Sequence, residues 1–168
     1  MAAYEDLEQI DILNEDEDTQ KNKYLTFNIS TEDYAIEIKN VIEIIGIQKI
    51  TEVPNVKKYI KGIINLRGII NPVIDVRMRF GIENKEYDDR TCIVVVHING
   101  VSVGLIVDEV NEVVNISEDM ISAPPKTNKG SQSRYIQGIA RIGDNVKILL
   151  NINKLLYDED SVIIDSVE

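Results

Sequence analysis

The sequence predicts a mainly β protein in which one pattern of strands occurs twice. Three observations carry this. The apolar content is aliphatic, with isoleucine and valine dominant, two Phe, seven Tyr and no Trp, and β-branched side chains suit pleated, half-buried surfaces. Short apolar runs bounded by turn residues recur through residues 24–152, whereas no apolar pattern of helical period runs for about ten residues or more, which argues against a βαβ sheet. Finally, the second half echoes the first in order.

Taken along the chain, "YLTFNI" and "YAIEI" flank "STED" and read as paired strands. Residues 39–44 read as a short helix or turn. "YIKGIINLRGIINPVIDV" (59–76) reads as two strands about a turn at "NLRG". "TCIVVVHI" and "VSVGLIV" flank Asn99-Gly100, a strong hairpin signal because both residues tolerate positive φ. A second short helix or turn is expected near 108–113, and "YIQGIARIGDNVKILLNI" (135–152) supplies the last strands. Shifted by 69, "LTFNI" (25–29) falls on "VVVHI" (94–98) and "IEIKNVIEII" (36–45) on "LIVDEVNEVV" (105–114). Beyond Pro54 the shift becomes 76, and Tyr59, Ile60, Gly62 and Ile63 meet Tyr135, Ile136, Gly138 and Ile139. Gly62 and Gly138 recur at one place in the repeat, so a backbone role is expected of both, either close approach or positive φ.

Each repeat holds about five strands, and a half of that size can close as a small barrel without exposed edges. The expected organisation is two similar five-stranded β-barrel lobes around a shared apolar core, with short helices. Lobe one covers about 24–80 plus a C-terminal contribution, and lobe two about 91–155. A groove between them is a usual place for a ligand or partner.

The net charge of −11 sits at the ends. Residues 1–20 hold eight acids and no base, residues 158–168 hold five and none, and between them sixteen acids face eighteen bases. Residues 1–22 and 158–168 therefore read as solvated, disordered acidic tails flanking a domain of residues 23–157. A nearly neutral body lacks the basic stripe that nucleic acid requires. One cysteine excludes an internal disulfide, the acidic start resembles no signal peptide, and "CIVVV" is far below the roughly 20 residues that span a bilayer. A reducing cytoplasm fits, without membrane insertion.

Chemistry is scarce. His97, the only histidine, alternates within a strand pattern and reads as a surface or edge-strand residue. Cys92 reads as a small buried hydrophobe, and one His with one Cys makes no metal site. Asp75, ending an apolar strand, invites comparison with the acceptor of a receiver domain, but the amphipathic helices of that fold are missing. Its repeat mate is Asn151, which points to a structural role. Glu43 and Glu112 are matched acids, each readable as the solvated face of a short helix.

Arg67 is the exception. It stands between two isoleucine runs in the stretch most like buried strand, and a guanidinium buried without a partner costs several kcal/mol. Gly68 suggests a tight turn that carries "NLRG" to the surface. The equivalent turn of the second repeat reads "ARIGDN", so the repeat does not demand this arginine, and a specific use of it is expected.

"YIKGIINLRGIINPVIDVRMRFG", with "YAIEIKNVIEII" and "VGLIVDEVNEVV" in that order, resembles the CheW-type chemotaxis coupling proteins over about residues 23–156. The resemblance implies two SH3-like barrels and a non-catalytic adaptor, without cofactor or metal, that links the cytoplasmic tip of chemoreceptors to the regulatory domain of the CheA kinase. It implies a receptor site at Arg67 with Glu43 as its pairing acid, within the Asn65-Leu66-Arg67-Gly68 turn. Val41 and Ile38 would flank the receptor groove, with Val103, Gly104 and Val110 approaching from lobe two; kinase-contacting residues are not assigned. Two other readings stand beside it: an enzyme using the cleft between the lobes, and an SH3-like binder of Pro-rich peptides. The scarcity of aromatics weakens the latter.

Overall fold

The computed structural model describes residues 20–124 and 134–157. Most of the two acidic ends, residues 1–19 and 158–168, lies outside the described residues. Asn22, the last residue of the expected tail, turns at φ 65° and its carbonyl accepts from Ile116 N–H at 2.7 Å.

The apolar runs become strands because each has a ladder partner. They are β1 (Lys23–Ile29), β2 (Glu32–Glu37), β3 (Val41–Gly46), β4 (Ile60–Leu66), β5 (Ile69–Asp75), β6 (Cys92–Ile98), β7 (Val101–Val107), β8 (Glu109–Asn115), β9 (Ile121–Ser122), β10 (Ile136–Ile142) and β11 (Asn145–Leu150). Two short helices, α1 (Val76–Arg79) and α2 (Ile152–Leu156), follow β5 and β11. Asp75 and Asn151 are their N-caps, accepting from Met78 N–H at 3.2 Å and Lys154 N–H at 3.0 Å, as short polar side chains do at that position. The structural role read for Asp75 is thus observed in both repeats.

Residues 39–44 and 108–113 differ from expectation. Only Ile38–Asn40 forms a 3₁₀ turn; residues 41–44 lie in β3, and residues 109–113 lie in β8 after a bend at Asp108. The β-branched side chains of "VIEII" and "NEVV" find ladder partners in β6 and β1, and pairing overrides a short helical reading.

One sheet has the order β3-β6-β7-β5-β4 and the other β8-β1-β2-β11-β10-β9. The sheets therefore do not follow the repeats. Each repeat gives its first hairpin to the other repeat's sheet, so β6–β7 joins β3, β4 and β5, while β1–β2 joins β8 to β11. The lobe ranges read from the sequence describe the repeats, and the sheets interleave them. The symmetry is nevertheless close: Val73 opposite Gly104 in the parallel β5–β7 pair is repeated by Leu149 opposite Ala35 in β11–β2.

Both faces of each sheet are apolar. Leu25, Phe27, Ile36, Ile74, Val94, Val96, Val103 and Leu105 belong to one large cluster shared by the two sheets. Ile64, Val73, Ile93, Val95 and Ile106 form a second behind the five-stranded sheet, and Tyr24, Ala35, Ile116, Ala140 and Leu149 a third behind the other. A sheet with two buried faces must curl on itself or be covered.

The recurring glycines are close-approach sites. Gly62 has φ +149°, and a Cβ there would lie 2.0 Å from the Thr51 carbonyl oxygen. A Cβ on Gly138 would meet Ile121 Cγ2 at 2.7 Å and Ser122 O at 3.2 Å.

Candidate functional site

Strands β4 and β5 are joined by two residues, Arg67 and Gly68, with φ 53° and 84°. Two successive left-handed residues are the hairpin turn whose twist matches that of the strands. Asn65 Oδ1 closes it by accepting from Gly68 N–H at 2.8 Å. Glycine suits this geometry, whereas an L-residue in the left-handed region costs about 1 kcal/mol. The equivalent position in the second repeat is Gly143, φ 61°. The fold thus meets the same need without a side chain there, and Arg67 is held at a conformational cost.

Its guanidinium, 77 % exposed, donates to Glu43 Oε2 at 2.6 Å, and Glu43 is 22 % exposed. Glu43 lies on β3, at one edge of the five-stranded sheet, while the turn caps the β4–β5 hairpin at the other. The pair spans the two edges, so the sheet curls. The concavity beneath, about 130 Å³, is lined by Ile42, Glu43, Leu66, Arg67, Ile69, Asn71, Val95 and Ser102, and every strand of the sheet contributes to it.

Four large aliphatic side chains stand exposed on β3 and β5, Ile42, Ile44, Ile69 and Ile70, at 43–65 %. This corrects the reading of the isoleucines after Arg67 as buried strand: the hairpin tip projects past the ladder neighbour of β5, whose pairing with β7 begins only at Val73. The repeat mates of Ile42 and Ile69 are Asn111 and Asn145, whereas those of Ile44 and Ile70 are the exposed Val113 and Val146, so the second repeat keeps half of the apolar surround and lacks the arginine and the two isoleucines beside it. The sequence signal was present. "VIEII" and "RGII" set apolar residues side by side where a half-buried strand would alternate.

The other residues implied by the resemblance are placed differently. Ile38, Val41 and Val110 are half-buried and pack on the shared cluster. Val103 and Gly104, on β7 in the middle of the sheet, are buried, so neither offers surface to a visitor. A Cβ at Gly104 would lie 2.8 Å from Ile93 Cγ2, which assigns that glycine to packing. Glu112 is an exposed strand residue whose backbone exchanges hydrogen bonds with Thr26 Oγ1 at 2.8 and 3.2 Å.

His97 is exposed, with Nδ1 3.1 Å from Ser102 Oγ. Cys92 is half-buried rather than buried, its thiol donating to Arg90 O at 3.3 Å. Asp75, fully buried, also accepts from Tyr87 Oη at 2.7 Å. Burial, then that bond, pushes the Tyr87 hydroxyl far above the ordinary phenol range. Among the described residues no three His, Cys, Asp or Glu side chains are grouped to hold a metal.

At Arg67 the arrangement can orient a visitor rather than transform it. An exposed ion pair is worth only about 0–1 kcal/mol, so Arg67 exchanges carboxylate partners at little cost, while the isoleucines accept an apolar stripe.

The chain is 33% identical over 150 residues to the chemotaxis protein CheW of Klebsiella aerogenes, covering 89% of this chain and 90% of that protein. It is 34% identical over 139 residues to the chemotaxis protein CheW of Bacillus subtilis, covering 83% and 89%. The crystal structure of the scaffolding protein TtCheW from Thermoanaerobacter tengcongensis superposes with a TM-score of 0.77 at 36% identity, covering 83% of this chain and 95% of that one. The model of the CheW-like domain matches residues 23–160, and with nearly the whole doubled-sheet body inside that match, this chain belongs to the CheW-like family.

Proposed function

We propose that this chain is the non-catalytic scaffold of a chemotaxis signalling complex, and that the corner formed by Arg67, Glu43 and the exposed isoleucines docks the cytoplasmic tip of a chemoreceptor. The observation that carries the reading is Arg67 itself, kept at a left-handed turn position where the repeat mate is glycine and aimed at an acid across an apolar concavity. A receptor tip is a helical bundle whose apolar stripe seats against Ile42 and Ile69, and a carboxylate on it displaces or joins Glu43 at the guanidinium. The second partner is the regulatory domain of the CheA kinase, bound on a separate surface so that the chain bridges the two. A cytoplasmic location is the one that this role requires.

The test is a three-component pull-down of receptor tip, this chain and kinase regulatory domain. All three are expected in one complex. Arg67→Ala should release the receptor tip and keep the kinase domain. Mutual displacement of the two partners would overturn the bridge.

A further inference from the structure

We infer that this chain associates with a second copy by exchanging repeats, and that the tight turn Asp88–Thr91 is what keeps the two repeats of one molecule together. Among the described residues, four of the nine strand pairings, β1–β8, β2–β11, β3–β6 and β5–β7, join the first repeat to the second. The remaining five lie within a repeat. A repeat alone would leave all four of those edges open, with the shared cluster uncovered. Any matching second repeat satisfies them, whether it comes from the same chain or another.

The segment between the repeats shows where the exchange would hinge. Ile82 packs on the shared cluster, and Arg77 Nε donates to Glu83 O at 3.0 Å. Tyr87 bonds Asp75 and lies under Lys61. The bonds to Glu83 and Asp75 thus anchor the segment up to Tyr87 on the first repeat, while Ile82 and Tyr87 also pack on clusters that the second repeat completes and Arg77 pairs with Asp108, contacts that an exchanged second repeat would make in the same way. Only residues 88–91 remain before β6. They form one reversal: Asp88 Oδ1 accepts from the N–H groups of Arg90 at 2.8 Å and Thr91 at 3.2 Å, and Thr91 Oγ1 accepts from Asp88 N–H at 3.0 Å. Folded, this turn returns β6 to β3 of its own chain. Opened, the same four residues run straight and deliver β6 to β3 of a neighbour. The exchanged dimer keeps every strand pairing and presents two Arg67 corners.

A linker this short holds the two repeats at an effective concentration on the order of millimolar, which keeps the native chain closed at ordinary working concentrations. Deleting Asp89 and Arg90 removes the reversal and leaves the exchanged form.

The test uses the full chain carrying Cys92→Ser, Asp33→Cys and Lys147→Cys. Asp33 and Lys147 are cross-repeat partners in the β2–β11 ladder, so a disulfide there reports which chain supplies each repeat. The protein is refolded across a concentration series, with and without the two-residue deletion, oxidised, and separated by size exclusion with light scattering. The dimer fraction should rise as refolding approaches millimolar, and the deletion, by leaving a linker too short to span the reversal, should lower that onset by at least about tenfold. On a non-reducing gel the dimer fractions should run as covalent dimers and the monomer fractions as monomers. Dimers that run as monomers would be surface-to-surface associations and would overturn the exchange. Protein that remains monomeric throughout the series would overturn it too, and the undeleted chain decides this if the deletion prevents folding.

Discussion

Replacing Arg67 by glycine separates what the turn needs from what the side chain does. Relief of the left-handed strain stabilises by about 1 kcal/mol, offset by about 0.5–1 kcal/mol for glycine's greater freedom in the unfolded chain. Loss of the exposed pair with Glu43 costs about 0–1 kcal/mol. These nearly cancel, so stability should stay within about 1 kcal/mol and the melting temperature within about 4 °C for a domain of this size. Receptor-tip affinity should nevertheless fall at least tenfold, about 1.4 kcal/mol. Calorimetric unfolding and titration with a receptor-tip hairpin measure the two quantities on one sample. A variant that loses about 3 kcal/mol or more of stability, yet binds normally while folded, would show Arg67 to be structural and refute the reasoning.

Tyr87→Phe leaves Asp75 Oδ2 without its donor in a buried site and should cost about 1–3 kcal/mol in denaturant unfolding; an unchanged midpoint would contradict that bond. Gly62→Ala should be far more damaging than Gly68→Ala, since one Cβ would enter the Thr51 carbonyl and the other meets nothing within 4 Å. A melting temperature equally lowered by both would remove the close-approach argument. Asp108→Ala strands Arg77, its mostly buried ion-pair partner, and hands the exposed Ser30 N–H, which donates to Asp108 Oδ2 at 2.7 Å, back to solvent; a loss of about 3 kcal/mol is expected from the buried pair, and less than 1 would contradict it. The Asp88 carboxyl is held below its ordinary value of 3.8, first by the Arg90 backbone N–H. Its folded pKa is depressed, so its stabilisation is present above 3.8 and is lost as pH falls through the lower folded value. The melting-temperature advantage of the native chain over Asp88→Asn should accordingly shrink in acid, and a pH-independent difference would count against the turn.

Strand content and the doubling were legible because alternation and repeat spacing are local signals. Asn99-Gly100, Asp75 with Asn151, and the turn at Arg67 could all be placed from residue chemistry alone. The interleaving was not legible, because the repeat pattern says which strands are alike and not which ones pair. Residues 39–44 and 108–113 misled for a related reason: turn-forming Lys39-Asn40 and Asp108 sit beside β-branched residues whose ladder partners are distant in sequence. At the site, Arg67 and Glu43 were found together as expected. Val103 and Gly104 were not at the surface, because resemblance transfers positions without their burial. The exposed Ile42, Ile44, Ile69 and Ile70 were signalled only by adjacent apolar residues in "VIEII" and "RGII", a weak cue in an aliphatic composition where core and surface use the same residues.

The most direct measurement of the docking account is a backbone NMR titration of the isotope-labelled chain with a receptor-tip hairpin. Shifts should concentrate on Ile42, Glu43, Leu66, Arg67 and Ile69, with the β9–β10 end of the other sheet silent. A shift map centred on β9–β10 that leaves the Arg67 turn unmoved would contradict it.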